Sequence, residues 1–161
     1  NEQNNNNEIG VPLTLLSANA STDIILVEMG MRNPKDIQLL SNIARPTIGI
    51  ITGIGLSHFE FFKHQRQIAL SKSKLFLKPL KWEQSKRTAF ICQHSDYYSL
   101  VHEKAKNAGY SVYGYKGITP FEDNLALCFS VGHHFGLDDE AIRSASLGLA
   151  HRECHQNYLT Y

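Results

Sequence analysis

The sequence predicts an α/β domain with a mostly parallel sheet flanked by helices, and three observations lead to this class. Apolar, β-branched runs typical of buried parallel strands alternate with stretches of helical spacing. Two such strands, Ile24–Val27 and Thr47–Thr52, enclose a helix over Pro34–Ala44 and so form a β-α-β unit. Glu28 and His58 follow these strands, where open parallel sheets bind ligands.

The remaining elements follow from the same signals. Helix Pro34–Ala44 places Ile37, Leu40 and Ile43 on one face, and Asn33 is expected to cap its first turn. The other predicted helices are Val11–Leu16, His64–Leu77, Ser95–Ala108, Phe121–Phe135 and Asp138–Leu149, and the other predicted strands are Thr88–Cys92 and Ser111–Tyr115.

Length and composition describe an ordinary soluble globular protein. The 161 residues suit a single domain over 1–161, with 42% hydrophobic and 19% charged residues. A net charge of +1 does not favour a nucleic-acid binder, and no apolar run reaches the length of a membrane span. Three scattered cysteines suggest free thiols in a reducing cytoplasm. The segment Pro79–Arg87, with Arg87 in its basic run, is predicted to be a solvated connection.

The residues alone leave the chemistry of three candidates open. Glu28 could bind Mg²⁺ at the mouth of a sheet, or could be a surface glutamate. His58 could be a metal ligand or a base, or a solvated loop histidine. Lys72 lies in a predicted helix, where a lysine is normally solvated, and composition does not separate it from Lys74. This pattern indicates a nucleotide- or metal-binding scaffold but does not identify the ligand or the reaction.

Several motifs occur together in an order that resembles the central ATPase domain of the Mur ligases. They read NNNNEIGVPLTLL, ILVEMG, IITGIGLSHFEFF and IALSKSKLF, and they cover the first half of the chain. The resemblance is to the MurF type, which adds D-alanyl-D-alanine to a UDP-N-acetylmuramoyl tripeptide in peptidoglycan precursor synthesis. It implies a fold of the kind found in P-loop NTPases and a monomeric cytoplasmic protein.

The resemblance also implies a reaction and its residues. ATP phosphorylates the substrate carboxylate, and the incoming amine then attacks the acyl phosphate to form an amide. Glu28, His58 and Lys72 match residues at the Mg²⁺ site, with Lys72 at the position of a lysine that becomes carbamylated. The residues expected to bind substrate are Asn6 and Asn7, and those expected near the nucleotide are Asn124 and Arg152.

Departures from the family pattern keep other functions open. The Gly-Lys-Thr/Ser phosphate loop is expected upstream of Asn1, and the abrupt start without methionine suggests a fragment that is inactive by itself. Family asparagines are replaced at Gly53 and within Gln93-His94, and a His-Asn pair is replaced by Pro120-Phe121. The alternatives are a related Mur or folylpolyglutamate ligase, and a non-catalytic binding or scaffold domain.

Overall fold

The computed structural model describes residues 5–55, 62–81, 83 and 85–153, with side chains as far as Ser146. The helices are α1 (Gly10–Leu16), α2 (Asp36–Ala44), α3 (Gln65–Lys72), α4 (Tyr98–Asn107), α5 (Pro120–His134) and α6 (Asp139–Glu153). The strands are β1 (Ile48–Ile51), β2 (Thr88–Cys92) and β3 (Ser111–Tyr115), and a 3₁₀ turn, Ser73–Leu75, follows α3. None of the helices within the described part of the chain is long and apolar enough to cross a bilayer.

The three strands form a parallel sheet in the order β1-β2-β3, which confirms the predicted fold class. The central strand β2 is buried along its whole length. Because successive side chains of a strand point to opposite faces, Ala89 and Ile91 lie on one face, and Phe90 and Cys92 lie on the other. The sheet therefore has a core on each side.

The larger core joins the first face of the sheet to helices α2, α3 and α4. Ile68, Val101 and Ala105 from these helices are fully buried in it. The second core is smaller and lies between Phe90 of β2 and residues of α5 such as Leu127. Helices thus cover both faces of the sheet, as parallel sheets require.

One predicted strand does not form. Residues 24–27 have no strand pairing in the structure, and Ile24, Ile25 and Leu26 are 59%, 41% and 77% exposed. A strand needs a hydrogen-bonded neighbour, and within the described residues the sheet ends at β1. The prediction of a buried strand at Ile24–Val27 is therefore wrong, although its composition favours one.

Helix α2 begins two residues later than predicted, and Asn33 does not cap it. The residue at the N-cap position is Lys35, and no side chain caps this end of the helix. Instead the Asp36 carboxylate accepts hydrogen bonds from the backbone N–H groups of Arg32 and Asn33, at 2.8 and 2.7 Å. A first-turn carboxylate thus stabilises the turn that leads into the helix.

The predicted solvated connection Pro79–Arg87 contains a buried cation. Arg87 is only 5% exposed and forms an ion pair with Glu83, which also binds Arg45 at 2.7 Å. Arg87 donates a further hydrogen bond to the Leu77 carbonyl at 2.7 Å. The prediction of a solvated side chain is wrong at Arg87, because an ion pair and a carbonyl take the place of water at its two terminal nitrogens.

Candidate functional site

The loops that follow β1 and β2 are joined at the carboxyl edge of the sheet. The backbone N–H of Ile54, after β1, donates to the Ser95 hydroxyl, after β2, at 2.8 Å. Gln65, at the start of α3, donates to the Ile54 carbonyl at 3.1 Å and to Asp96 at 2.7 Å. These bonds fix the first loop against the second, at the edge where open parallel sheets bind ligands.

Lys72 is anchored to this edge. It is the last residue of α3, and its Nζ donates to the carbonyl oxygen of Gly53 at 2.6 Å. Burial lowers the pKa of the Lys72 ammonium below its ordinary value. Lys74, two residues on, is exposed. Lys72 is therefore not an ordinary solvated lysine, and its neutral amine forms more readily than that of an exposed lysine.

Glu28 is exposed, lies in a segment without regular secondary structure, and is contacted by Asn6. The amide Nδ2 of Asn6 donates to Oε1 of Glu28 at 3.0 Å. The backbone carbonyl of Asn6 accepts a hydrogen bond from the Gly30 N–H at 2.7 Å. The segment 5–8 thus lies against the segment 28–30, and the structure brings together two residues that the sequence assigned to different ligands.

Asn7 has a structural role at the start of α1. Its Oδ1 accepts hydrogen bonds from the backbone N–H groups of Ile9 and Gly10, at 3.1 and 2.9 Å, so it satisfies donors that the helix leaves unpaired. Both asparagines also line a cavity of about 450 Å³. The residues around this cavity are Asn6, Asn7, Glu8, Gly30, Met31, Arg32, Asn33, Asp36, Leu39 and Leu40.

Of the remaining predicted site residues, the structure describes some fully, some only as backbone, and some not at all. Asn124 is exposed on the first turns of α5. Arg152 lies in α6, and its side chain is outside the described residues. His58 also lies outside them, so its expected position beside Glu28 stays a prediction.

A cluster that the sequence did not single out lies at the ends of β2 and β3. Asp123 of α5 accepts a hydrogen bond from the Gly117 N–H at 2.6 Å, lies 3.2 Å from Nδ1 of His94, and accepts a weaker bond from the Cys92 thiol at 3.5 Å. The Gly117 bond is the largest of several contacts that lower the pKa of Asp123. Burial raises the pKa of the Cys92 thiol above its ordinary value, which disfavours the thiolate form. The signal available in the sequence was a histidine two residues after a buried strand.

The described residues fit a magnesium ion at Glu28 but not at an unmodified Lys72. Mg²⁺ prefers oxygen ligands and is commonly held by one or two carboxylates, substrate phosphates and water. Glu28 offers an exposed carboxylate, whereas the Lys72 ammonium is a cation bound to a carbonyl. In the described part of the chain, no group of three or more His, Cys, Asp and Glu side chains could hold a metal by itself. An ion at Glu28 would therefore depend on ligands from substrate and water.

The family model and the similar proteins indicate the same family. The sequence pattern of the Mur ligase middle domain matches residues 1–138. The chain is 47% identical over 72 residues to a UDP-N-acetylmuramoyl-tripeptide–D-alanyl-D-alanine ligase of Synechocystis, which is 45% of this chain and 16% of that protein. It is 31% identical over 109 residues to the ligase of that name from Borreliella burgdorferi, which is 68% of this chain and 22% of that protein.

Solved structures agree with the sequence comparison. A crystal structure of MurF from Acinetobacter baumannii superposes with a TM-score of 0.62 at 25% identity, over 70% of this chain and 24% of that one. A second crystal structure of that protein gives a TM-score of 0.61 at 24% identity, which supports the fold alone. The chain thus spans less than a quarter of the length of each of these relatives.

Proposed function

Because this chain belongs to the Mur ligase family through its middle domain, we propose that it forms the central ATP-binding part of an amide ligase of peptidoglycan precursor synthesis. The reaction is the addition of D-alanyl-D-alanine to a UDP-N-acetylmuramoyl tripeptide, as in the names of the relatives above. The proposal takes residues 1–161 as one domain of a monomeric, cytoplasmic enzyme.

The reaction needs the negative charge of the phosphates to be neutralised at the carboxyl edge of the sheet. The γ-phosphoryl group of ATP passes to a substrate carboxylate oxygen and ADP leaves. The amine nitrogen then attacks the acyl carbon, phosphate leaves, and the nitrogen loses a proton as the amide forms. Mg²⁺, when bound, would neutralise the phosphate charge, and Glu28 is the described carboxylate that would hold it. In this proposal Asn7 binds the substrate, and Asn124 and Arg152 lie near the nucleotide, as the resemblance implies. His58 belongs to the Mg²⁺ site on the same ground.

The observation that carries this proposal is the position of Lys72. Its amine is half-buried and bound to the Gly53 carbonyl, and burial lowers its pKa. The nitrogen can therefore attack the carbon of CO₂ and release a proton, which gives a carbamate. One N–H remains on that nitrogen to donate to Gly53. The side-chain charge changes from positive to negative, which suits a site for Mg²⁺ and phosphates.

Paired substitutions in the full-length ligase that carries this chain test the proposal. We expect Lys72→Ala to lower kcat by at least about 100-fold, since it removes charge stabilisation at the reacting phosphates. Lys74→Ala, two residues away and exposed, is the matched control and should stay near the wild-type rate. Short carboxylic acids should restore part of the Lys72→Ala activity by replacing the carbamate. Equal, near-wild-type rates for the two variants would contradict the proposal.

A non-catalytic binding module is the second candidate, and the departures from the family pattern favour it. Gly53, Gln93-His94 and Pro120-Phe121 stand where the resemblance implies asparagine or histidine. In the structure His94 is engaged by Asp123. The full-length protein decides between the two candidates: ligase activity supports the first, and retained binding of the UDP-linked peptide without turnover supports the second.

A further inference from the structure

Asn6 makes two contacts with the segment that carries Glu28. Its side-chain amide donates to Glu28 Oε1 at 3.0 Å, and its backbone carbonyl accepts from the Gly30 N–H at 2.7 Å. The backbone hydrogen bond holds Asn6 beside Gly30. The side-chain hydrogen bond reaches the carboxylate of Glu28, two residues before Gly30. A substitution at position 6 would therefore remove the side-chain bond and leave the backbone bond in place.

Gly30 allows this arrangement. A Cβ atom at residue 30 would lie 2.7 Å from Oδ1 and 2.9 Å from Cγ of Asn6, closer than real side chains approach. The absence of a side chain therefore leaves room for the Asn6 amide directly over the backbone. Asn6 and Gly30 fit one another sterically, and this fit directs the amide towards Glu28.

We propose that Asn6 is a positioning residue for Glu28, an inference that rests on the proposed function. The amide N–H holds one carboxylate oxygen, so the carboxylate has a preferred orientation before Mg²⁺ binds. Hydrogen bonds to the ligands of a metal commonly orient those ligands and tune their affinity. This role differs from the contact with UDP-linked substrate that the resemblance implies for Asn6, and it makes Asn6 part of the metal site.

Metal binding and kinetics in the full-length ligase test this role. Mn²⁺ is titrated into the protein, and the EPR signal of the free ion reports binding. We expect Asn6→Ala to weaken Mn²⁺ binding by about 10- to 100-fold, the usual effect of losing such a partner. The Mg²⁺ concentration for half-maximal turnover should rise, whereas the KM for the UDP-linked substrate should stay near the wild-type value.

Two further variants keep the test specific. Asn19→Ala is the matched control, because in the described residues the Asn19 side chain bonds only within its own turn, where its Oδ1 accepts from the backbone N–H and the hydroxyl of Ser21. It should bind Mn²⁺ like the wild type. Asn6→Leu has the shape of asparagine without its donor, and it should reproduce the loss even if Asn6→Ala does not fold. In a Glu28→Gln background, Asn6→Ala should have no further effect on Mn²⁺ binding.

The outcomes separate this inference from the proposed function. Wild-type Mn²⁺ affinity in Asn6→Ala, or a raised substrate KM with unchanged Mn²⁺ binding, would overturn the positioning role and leave the ligase proposal intact. Failure of the wild-type ligase to bind Mn²⁺ would overturn the metal site at Glu28, and with it the role of Asn6. Additive effects of Asn6→Ala and Glu28→Gln would also count against it.

Discussion

At the scale of single residues, the ion cluster around Glu83 shows how burial changes the role of a charge. The Glu83 carboxylate accepts hydrogen bonds from Arg45 at 3.0 and 2.7 Å and from the Leu80 N–H at 2.6 Å, and it also pairs with Arg87. These contacts join the residue after α2 to the residue before β2. The cluster lies at the amino ends of the strands, away from the candidate site.

Glu83 should make the stability of the chain depend on acid pH. The hydrogen bonds from Arg45 are the largest cause that lowers the pKa of Glu83 below its ordinary value of 4.5. Because the folded-state pKa is below the unfolded one, this stabilisation is fully present above pH 4.5 and declines as the pH falls through the lowered pKa. We expect the thermal midpoint to fall with pH in that range.

The variant Glu83→Gln isolates this effect. Because the amide carries no charge, the variant lacks the ion pairs of Glu83, and its thermal midpoint at pH 7 should be lower than that of the wild type. The midpoint should also vary less between about pH 5 and about pH 3, which lie on either side of the ordinary pKa of a glutamate. Some dependence on pH should remain, because the pKa of Asp123 is also lowered. If the thermal midpoints of the two proteins fall with pH in parallel, Glu83 is not the source of the pH dependence.

At the scale of elements, β1 depends on a glycine that faces the 3₁₀ turn. A Cβ at Gly49 would lie 2.8 Å from a ring carbon of Phe76 and 3.3 Å from a methyl carbon of Leu75. Phe76 is buried and packs edge-to-face against Tyr110 at 5.2 Å, so its ring has little room to move. The strand and the turn can therefore approach closely only because residue 49 lacks a side chain.

Two glycine substitutions check this packing. We expect Gly49→Ala to lower the free energy of unfolding by about 1–3 kcal/mol, the usual cost of adding a methyl group to a packed core. Gly53→Ala, at the end of the same segment, is the control, because a Cβ there would meet nothing within 4 Å. Its effect should stay within about 0.5 kcal/mol. Urea denaturation of both variants measures the difference, and equal stabilities would refute this account of β1.

The failure of the predicted strand Ile24–Val27 belongs to the same scale. Its β-branched composition favours an extended backbone, but the structure assigns no regular secondary structure to it. Composition cannot supply a neighbouring strand, however, and pairing depends on which segments meet. The apolar side chains of Ile24 and Leu26 stay exposed as a result.

At the scale of the whole molecule, nucleotide binding should be weak in this chain by itself. The 161 residues contain no Gly-rich loop ending in Gly-Lys-Thr/Ser, whose backbone N–H groups and lysine hold phosphates in P-loop proteins. We expect isothermal titration calorimetry of this chain with Mg-ATP to give no binding in the micromolar range. Under the proposed function, the full-length protein should bind Mg-ATP under identical conditions. Micromolar affinity in the chain alone would show that other residues hold the phosphates.

The sequence by itself determined the parallel α/β class, the positions of β1, β2 and β3, and the family. Local periodicity and motif order encode these features, because the buried face of an element repeats along its own residues. The burial of Arg87, the anchoring of Lys72 to Gly53 nineteen residues away, and the bond between Asn6 and Glu28 twenty-two residues apart were decided only by the tertiary structure. Such contacts join distant segments, and their energies depend on which groups packing brings together and shields from water.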